Sequence, residues 1–295
     1  MNECMLCPRN CGVNRDKGEI GYCGCGKEMV IARYSLHEWE EPCISGDKGS
    51  GTIFFTGCNL RCCFCQNYDI STLRKGRGVS INEFCNICLE LQDKGASNIN
   101  LVTGTMYVPM IIEGLYMAKS KGLSIPVVYN SSGYECVDTI KMLKGVVDIY
   151  LPDFKYFSDE LASKYSGCNN YFEYANEALN EMYRQVGKPV FDSNGMMIKG
   201  VIVRHLVLPG NHSDSKSVIK YLYNKYHDNI YISIMNQYTP IRKLEYGELN
   251  NKVDDRDYDD IINYAYDMGI RNAFVQEGDT QSESFIPNFD EFKGV

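Results

Sequence analysis

The chain has 295 residues, 44% of them hydrophobic and 23% charged, enough for one large domain or two smaller ones with a real core. Its 30 basic and 38 acidic residues give a net charge of −8, which argues against a broad basic face that tracks phosphates or anionic lipid. Nucleic acid and membrane are therefore not expected as partners. There is no run of about 18 apolar residues and no charged n-region followed by an apolar h-region at the start, so the expectation is a soluble, cytoplasmic protein.

Residues 1–48 carry six cysteines, many glycines and charges, and little apolar periodicity. Such a segment cannot close a core unaided, so it reads as a small metal-stapled module, with residues 49–295 as the main domain. Fourteen cysteines in the whole chain, ten of them within the first 65 residues, point to metal ligation where thiols stay reduced. Cys4, Cys7, Cys11 and Cys23 have metal-like spacing, with Cys25 and Cys43 in reserve. Four thiolates from one short segment suit either a closed structural zinc or a second iron–sulfur cluster, and spacing does not choose between them. The module then acts as an electron relay or a contact surface, or simply as a staple that lets about fifty residues fold.

From Gly51 the texture changes to short β-rich runs alternating with helical segments. Strands are expected over 52–56, 98–102, 126–130, 147–151, 200–208 and 230–234. Helices are expected over 81–94, 109–121, 135–144, 159–186 with a break near Gly167, 214–227 and 254–268. Ser80 and Glu83 fit a capping box at the start of the first helix, and Gly95 ends it. Six βα units without a composition break suggest an α/β fold, a partial (βα)6 barrel of the TIM type, although the pattern also admits an open doubly wound sheet.

Directly after the first of these strands, Cys58, Cys62 and Cys65 stand at C-x3-C-x2-C spacing. Three thiolates on one short loop can converge on an inorganic cluster and leave one iron open for substrate or cofactor. Cys63 is set aside because adjacent residues of an extended loop point apart. Phe64 completes the string C-x3-C-x-aromatic-C, which resembles the signature of the radical S-adenosylmethionine (SAM) superfamily. The resemblance implies a [4Fe-4S] cluster on Cys58, Cys62 and Cys65 as the catalytic centre. Its open iron binds SAM, which is cleaved reductively to a 5′-deoxyadenosyl radical that abstracts hydrogen from a substrate carbon.

The chain also resembles the pyruvate formate-lyase activating-enzyme-like branch, in particular a subgroup with an N-terminal cysteine module. The strings that carry this are Cys7-Pro8-Arg9-Asn10-Cys11-Gly12, Glu40-Glu41-Pro42-Cys43-Ile44-Ser45-Gly46, Gly57 to Asn67, Asp148 to Lys155 and Arg204 to Gly210. By this resemblance Phe64, Thr103, Gly104, Asn130, Ser131, Ser132, Asp153, Lys155 and Arg204 contact SAM. Thr103-Gly104-Thr105 lacks the acidic residue of the family's Gly-Gly-Glu stretch, so only backbone contacts carry over there. Asn130 stands where aspartate is usual, which weakens a monovalent-cation site. Asp153 and Lys155 match the activases' Asp-Leu-Lys. Arg204 has a fork suited to a carboxylate.

The resemblance implies a glycyl radical enzyme as protein substrate and a flavodoxin or ferredoxin as reductant. Another peptide, protein or small molecule is the alternative substrate, and a non-catalytic iron–sulfur electron-transfer protein is the remote one. Cys85 and Cys88 share a face with Phe84 and Leu91 and read as core, as do Cys136 and Cys168. The histidines show no metal spacing, and His205 reads as a packed strand residue. Tyr238 is expected to border the site. The acidic run 254–260 reads as the first turn of the last helix.

Overall fold

Strand alternation sorts the main domain into two layers around a ten-stranded sheet, counted among the described residues. The structure is a computed structural model that describes residues 3–276, 280–281, 287 and 289–294. The strands are β1 (Met29–His37), β2 (Ser50–Phe55), β3 (Arg77–Val79), β4 (Ile99–Val102), β5 (Val127–Ser131), β6 (Ile149–Pro152), β7 (Val190–Phe191), β8 (Met197–Leu206), β9 (Tyr231–Met235) and β10 (Ala273–Val275). Their order is β10-β9-β8-β6-β5-β4-β2-β1-β3, with β7 hairpinned onto β8. The run from β2 to β10 is parallel throughout, while β1 and β3 are antiparallel additions at one edge.

This is the partial barrel expected from the βα pattern. Leu101, Tyr129, Val203 and Ile234 face the outer helices, and these residues belong to the large core. The alternate residues of each strand face inward, where Val128, Ile149, Leu151 and Ile202 form a second, smaller core with Cys43 and Ile44. Those last two lie on α1 (Pro42–Ser45), so the β1–β2 connection packs against the inner face of the sheet.

The remaining helices are α2 (Tyr68–Ser71), α3 (Ile81–Asp93), α4 (Val108–Ser120), α5 (Val137–Met142), α6 (Asp159–Ser166), α7 (Tyr171–Val186), α8 (His212–Tyr226) and α9 (Asp255–Asp267). Ser80 Oγ caps α3 by accepting from Glu83 N–H at 3.2 Å. The reciprocal half of the capping box is replaced, because the Glu83 carboxylate pairs with Arg77 at 2.7 Å. The expected break at Gly167 separates α6 from α7, with Gly167 in the left-handed region. Cys85, Cys88 and Cys168 are fully buried, as core residues should be, while Cys136 is half-buried.

Two features depart from the sequence reading. Residues 29–37, placed within the N-terminal module, form β1 of the main sheet, so backbone hydrogen bonding continues across position 48. β10 extends the parallel run by one strand beyond the six expected. No helix among the described residues is long and apolar enough to cross a membrane.

Candidate active site

The loop that leaves β2 begins at Gly57, whose φ of +91° suits glycine. A Cβ there would also collide with Cys25 Sγ, so the glycine lets the N-terminal segment pack directly on the loop. The loop brings Cys58, Cys62 and Cys65 together, each half-buried and each with a hydrogen-bonding group at its sulfur. Leu60 N–H donates to Cys58 Sγ at 3.4 Å, and Ser166 Oγ lies 2.9 Å from Cys62 Sγ as its donor. Ser71 Oγ lies 3.3 Å from Cys65 Sγ. Thiolate ligands of a cluster take this pattern of outer support. Cys63 faces Arg242 and Glu248 instead.

Burial pushes the Cys62 thiol up to about 11, and the nearby Lys155 ammonium opposes that rise. Burial raises Cys58 further, with Cys62 and Cys65 adding repulsion. Such thiols are neutral until a metal takes their protons. The donor set, its outer hydrogen bonds and the adjacent cation fit a three-cysteine cluster.

Phe64 is buried and its ring meets that of Tyr238 edge-on at 6.1 Å. Tyr238 is itself fully buried and donates to Leu249 O at 2.5 Å, so it braces the signature aromatic from behind.

Asp153 and Lys155 follow β6. Lys155 Nζ lies 2.6 Å from Asp153 Oδ2, and its charge also faces Cys62 and Cys65. Arg204 on β8 joins the pair, with Nε 3.3 Å from Asp153 Oδ1, Nη2 donating to Asn130 Oδ1 at 2.7 Å and Nη1 3.0 Å from Glu40 Oε2. Burial works against an ionised Asp153, but Lys155 and Arg204 outweigh it and hold the carboxyl below its ordinary range. Glu40 is also held by Asn100 Nδ2 at 2.9 Å. Beside it, Glu41 is buried, and its Oε2 has no partner among the described residues. Burial raises both glutamates, and Arg204 partly restores them.

Thr103 adopts a left-handed φ of +59° just past β4, and its N–H donates to Asn130 O at 2.8 Å. Gly104 lies against Phe55 and Ile111, where a Cβ would come within 2.7 Å of Ile111. Ser131 Oγ accepts from Gly133 N–H at 3.3 Å, and Ser132 Oγ donates to Asn59 Oδ1 at 3.2 Å. Asn59 also donates to Tyr134 O at 2.5 Å, so this segment is tied to the cysteine loop. The Tyr171 hydroxyl accepts from Lys155 N–H at 2.9 Å and lies 2.9 Å from Ser132 O, joining two expected cofactor-binding segments.

Sequence reasoning missed Glu40, Glu41, Asn100, Ser166 and Tyr171. Glu40 and Glu41 were visible only as part of a family-like string. His205 is packed as expected, on the outer face, with Nδ1 2.7 Å from Phe154 O.

Cys4, Cys7, Cys11 and Cys23 line one pocket together with Arg9 and Arg15. Arg9 fastens this segment to the cysteine loop through Nε to Asn59 O at 2.8 Å and Nη1 to Gly167 O at 2.7 Å. Its guanidinium also stacks over Tyr22 at 4.0 Å, and Arg61 of the loop lies over the same ring at 4.2 Å. Each contact of this kind adds about 0.5–1 kcal/mol at an exposed site.

A three-thiol loop at the C-terminal end of a parallel strand, on an incomplete barrel, defines the radical SAM class of enzymes. The family model for that superfamily matches residues 52–220, and the chain belongs to it. It is 34% identical over 265 residues to an uncharacterised protein of Methanocaldococcus jannaschii, covering 85% of this chain and 70% of that one. It is 25% identical over 138 residues to the pyruvate formate-lyase-activating enzyme of Clostridium pasteurianum, covering 45% of this chain and just over half, 56%, of the enzyme. Among solved structures, a radical SAM methyltransferase from Sphaerobacter thermophilus shares the fold with a TM-score of 0.51 at 14% identity, over 77% of this chain and 66% of that one.

Proposed function

We propose that this radical SAM enzyme abstracts hydrogen from a glycine of a partner enzyme, as an activase of glycyl radical enzymes. The observation that carries the reading is the Asp153–Lys155 ion pair facing the three-cysteine loop, in the string shared with the activases. Similarity to an activating enzyme supports it. With Cys58, Cys62 and Cys65 as cluster ligands, the bound cluster and SAM supply reductive sulfonium cleavage and a hydrogen-abstracting radical.

The protein's own groups orient and enclose. Phe64, Thr103, Gly104, Asn130, Ser131, Ser132, Asp153, Lys155 and Arg204 hold SAM in this reading. Lys155 offsets the negative charge of the cluster, and Arg204 offers its fork to a carboxylate. The α1 segment covers the inner face of the sheet and keeps water from that side. Cys4, Cys7, Cys11 and Cys23 bind a metal, either zinc or an iron–sulfur cluster. A flavodoxin or ferredoxin serves as reductant, and the cytoplasm, where thiols stay reduced, is the working compartment.

A second reading keeps the radical chemistry and replaces the partner protein with another peptide or a small polar molecule. It is favoured by the charged layer of Glu40, Glu41, Asp153 and Arg204.

The test is electron paramagnetic resonance after incubating reduced protein and SAM with candidate glycyl radical enzymes. The activase reading expects a SAM-dependent radical on the partner. SAM cleavage without a radical on any candidate refutes it.

A further inference from the structure

We infer that the open hollow between the N-terminal segment and the cysteine loop is the docking face of the electron donor, an acidic flavoprotein. This rests on the reading of Cys58, Cys62 and Cys65 as cluster ligands and adds where the electron enters.

The hollow has a volume of about 340 Å3, and the half-buried Cys58 is part of its lining. Ser71 lines it too, and its hydroxyl lies 3.3 Å from Cys65 Sγ. One of the three expected ligands therefore borders a solvent-open surface, and a second stands one hydrogen bond behind it. Electron transfer weakens steeply with distance, so a carrier seated here has little protein to cross.

The charge of the lining is one-sided. It includes Arg61 and Arg74, both exposed, and no acidic residue. Arg61 Nη2 donates to Tyr22 O at 3.3 Å with its guanidinium 4.2 Å over the Tyr22 ring, and Arg74 Nη1 donates to Gly24 O at 3.2 Å. These partners are carbonyls and an aromatic face, which orient the two side chains and leave their charge in place. Gly24 makes room for the second of them, since a Cβ there would stand 2.6 Å from Arg74 Cδ. Asp69, on the same loop, is taken by Lys75 at 2.7 Å. In a chain of net charge −8 this is a local reversal of sign, and such a surface steers an acidic partner onto itself.

Apolar side chains stand beside the arginines. Ile20, in the lining, is 56% exposed, and Leu73, between the lining residues Thr72 and Arg74, is 57% exposed. Apolar contact with arginine at its margin is the make-up of a binding surface, and electron-transfer encounters need only a small one, below about 1,200 Å2. The apolar, planar dimethylbenzene edge of a flavin suits Ile20 and Leu73, while acidic groups around it meet Arg61 and Arg74. In the encounter the flavin is oxidised by one electron and the cluster reduced by one.

The experiment compares the full chain with its cluster, kept anaerobic, with an Arg61→Glu/Arg74→Glu variant and a Leu73→Asp variant. Calorimetric titration with oxidised flavodoxin reads docking, and SAM cleavage is driven in parallel by reduced flavodoxin and by dithionite. The wild type is expected to bind flavodoxin with an affinity that falls as salt rises. The double variant should bind about tenfold more weakly and lose flavodoxin-driven cleavage to a similar degree, with iron content and dithionite-driven cleavage unchanged. Leu73→Asp should act in the same direction, and it decides alone if the double variant loses its iron. Wild-type affinity in the variants overturns the inference, as does an equal fall with dithionite, which would place these residues in the site itself. A reduced ferredoxin that docks and delivers where flavodoxin does not overturns the choice of carrier. No cleavage by the wild type with dithionite takes away the cluster reading on which the inference rests.

Discussion

Replacing Arg204 with methionine keeps much of the side-chain volume and removes a cation that contacts both Glu40 and Asp153. Its side chain is 16% exposed and that of Glu40 7%, so the pair is shielded from solvent. Removing one partner of a buried ion pair costs about 3–5 kcal/mol. Asp153 retains Lys155 at 2.6 Å, so the loss falls chiefly on Glu40, which among the described residues keeps Asn100. Burial already raises the Glu40 pKa, and losing Arg204 raises it further above its unfolded value.

Between those two pKa values the native state binds a proton that the unfolded chain does not. Stability of the variant therefore falls as pH rises through that window, by up to about 1.4 kcal/mol per pH unit, and levels off above the folded pKa. Anaerobic urea denaturation at pH 6 and pH 8.5 reads the difference. Arg204→Met should be destabilised at both, more so at pH 8.5, and adding Glu40→Gln should remove most of the pH dependence. An equal loss at both pH values, or no rescue by Glu40→Gln, refutes the claim that Arg204 is held there by charge.

Glu135 is fully buried, and burial pushes its carboxyl up to about 8, with the Thr105 hydroxyl at 2.6 Å opposing the rise. Its contribution is lost as pH rises from the ordinary glutamate range to about 8, so Glu135→Gln should flatten the stability profile there; an unchanged profile in thermal denaturation contradicts this. Ser166→Ala removes the donor to Cys62 Sγ and should make the cluster potential more negative and lower SAM cleavage about tenfold. A redox titration that gives the wild-type potential rules that role out. Gly133 has φ +76°, and a Cβ there would run into Asp153 O, so Gly133→Ala should cost roughly 3 kcal/mol in urea denaturation. A variant within 0.5 kcal/mol of wild type, on the order of an ordinary surface substitution, shows that the backbone yields.

The parallel strands and their helices were legible because apolar runs, β-branched residues and caps act locally. Expected strand 126–130 lies one residue from Val127–Ser131, and the break at Gly167 was placed correctly. β1 was missed because its burial pattern does not alternate strictly and it sits among cysteines and glycines. β10 is three residues long, too short for a periodic signal. The three-cysteine loop was readable because its ligands lie within eight residues of one another, so spacing alone nearly fixes their convergence.

By itself, then, the sequence determined the βα series, the cysteine loop and the superfamily, all of which are written in neighbouring residues. Only the tertiary structure decided that Glu40 would meet Arg204, 164 residues away, and Asn100, 60 residues away. It alone decided that Arg9 would clamp the N-terminal segment to Gly167, 158 residues on. Buried charges find partners through the packing of whole strands, and that packing is a property of the folded sheet that no local window contains.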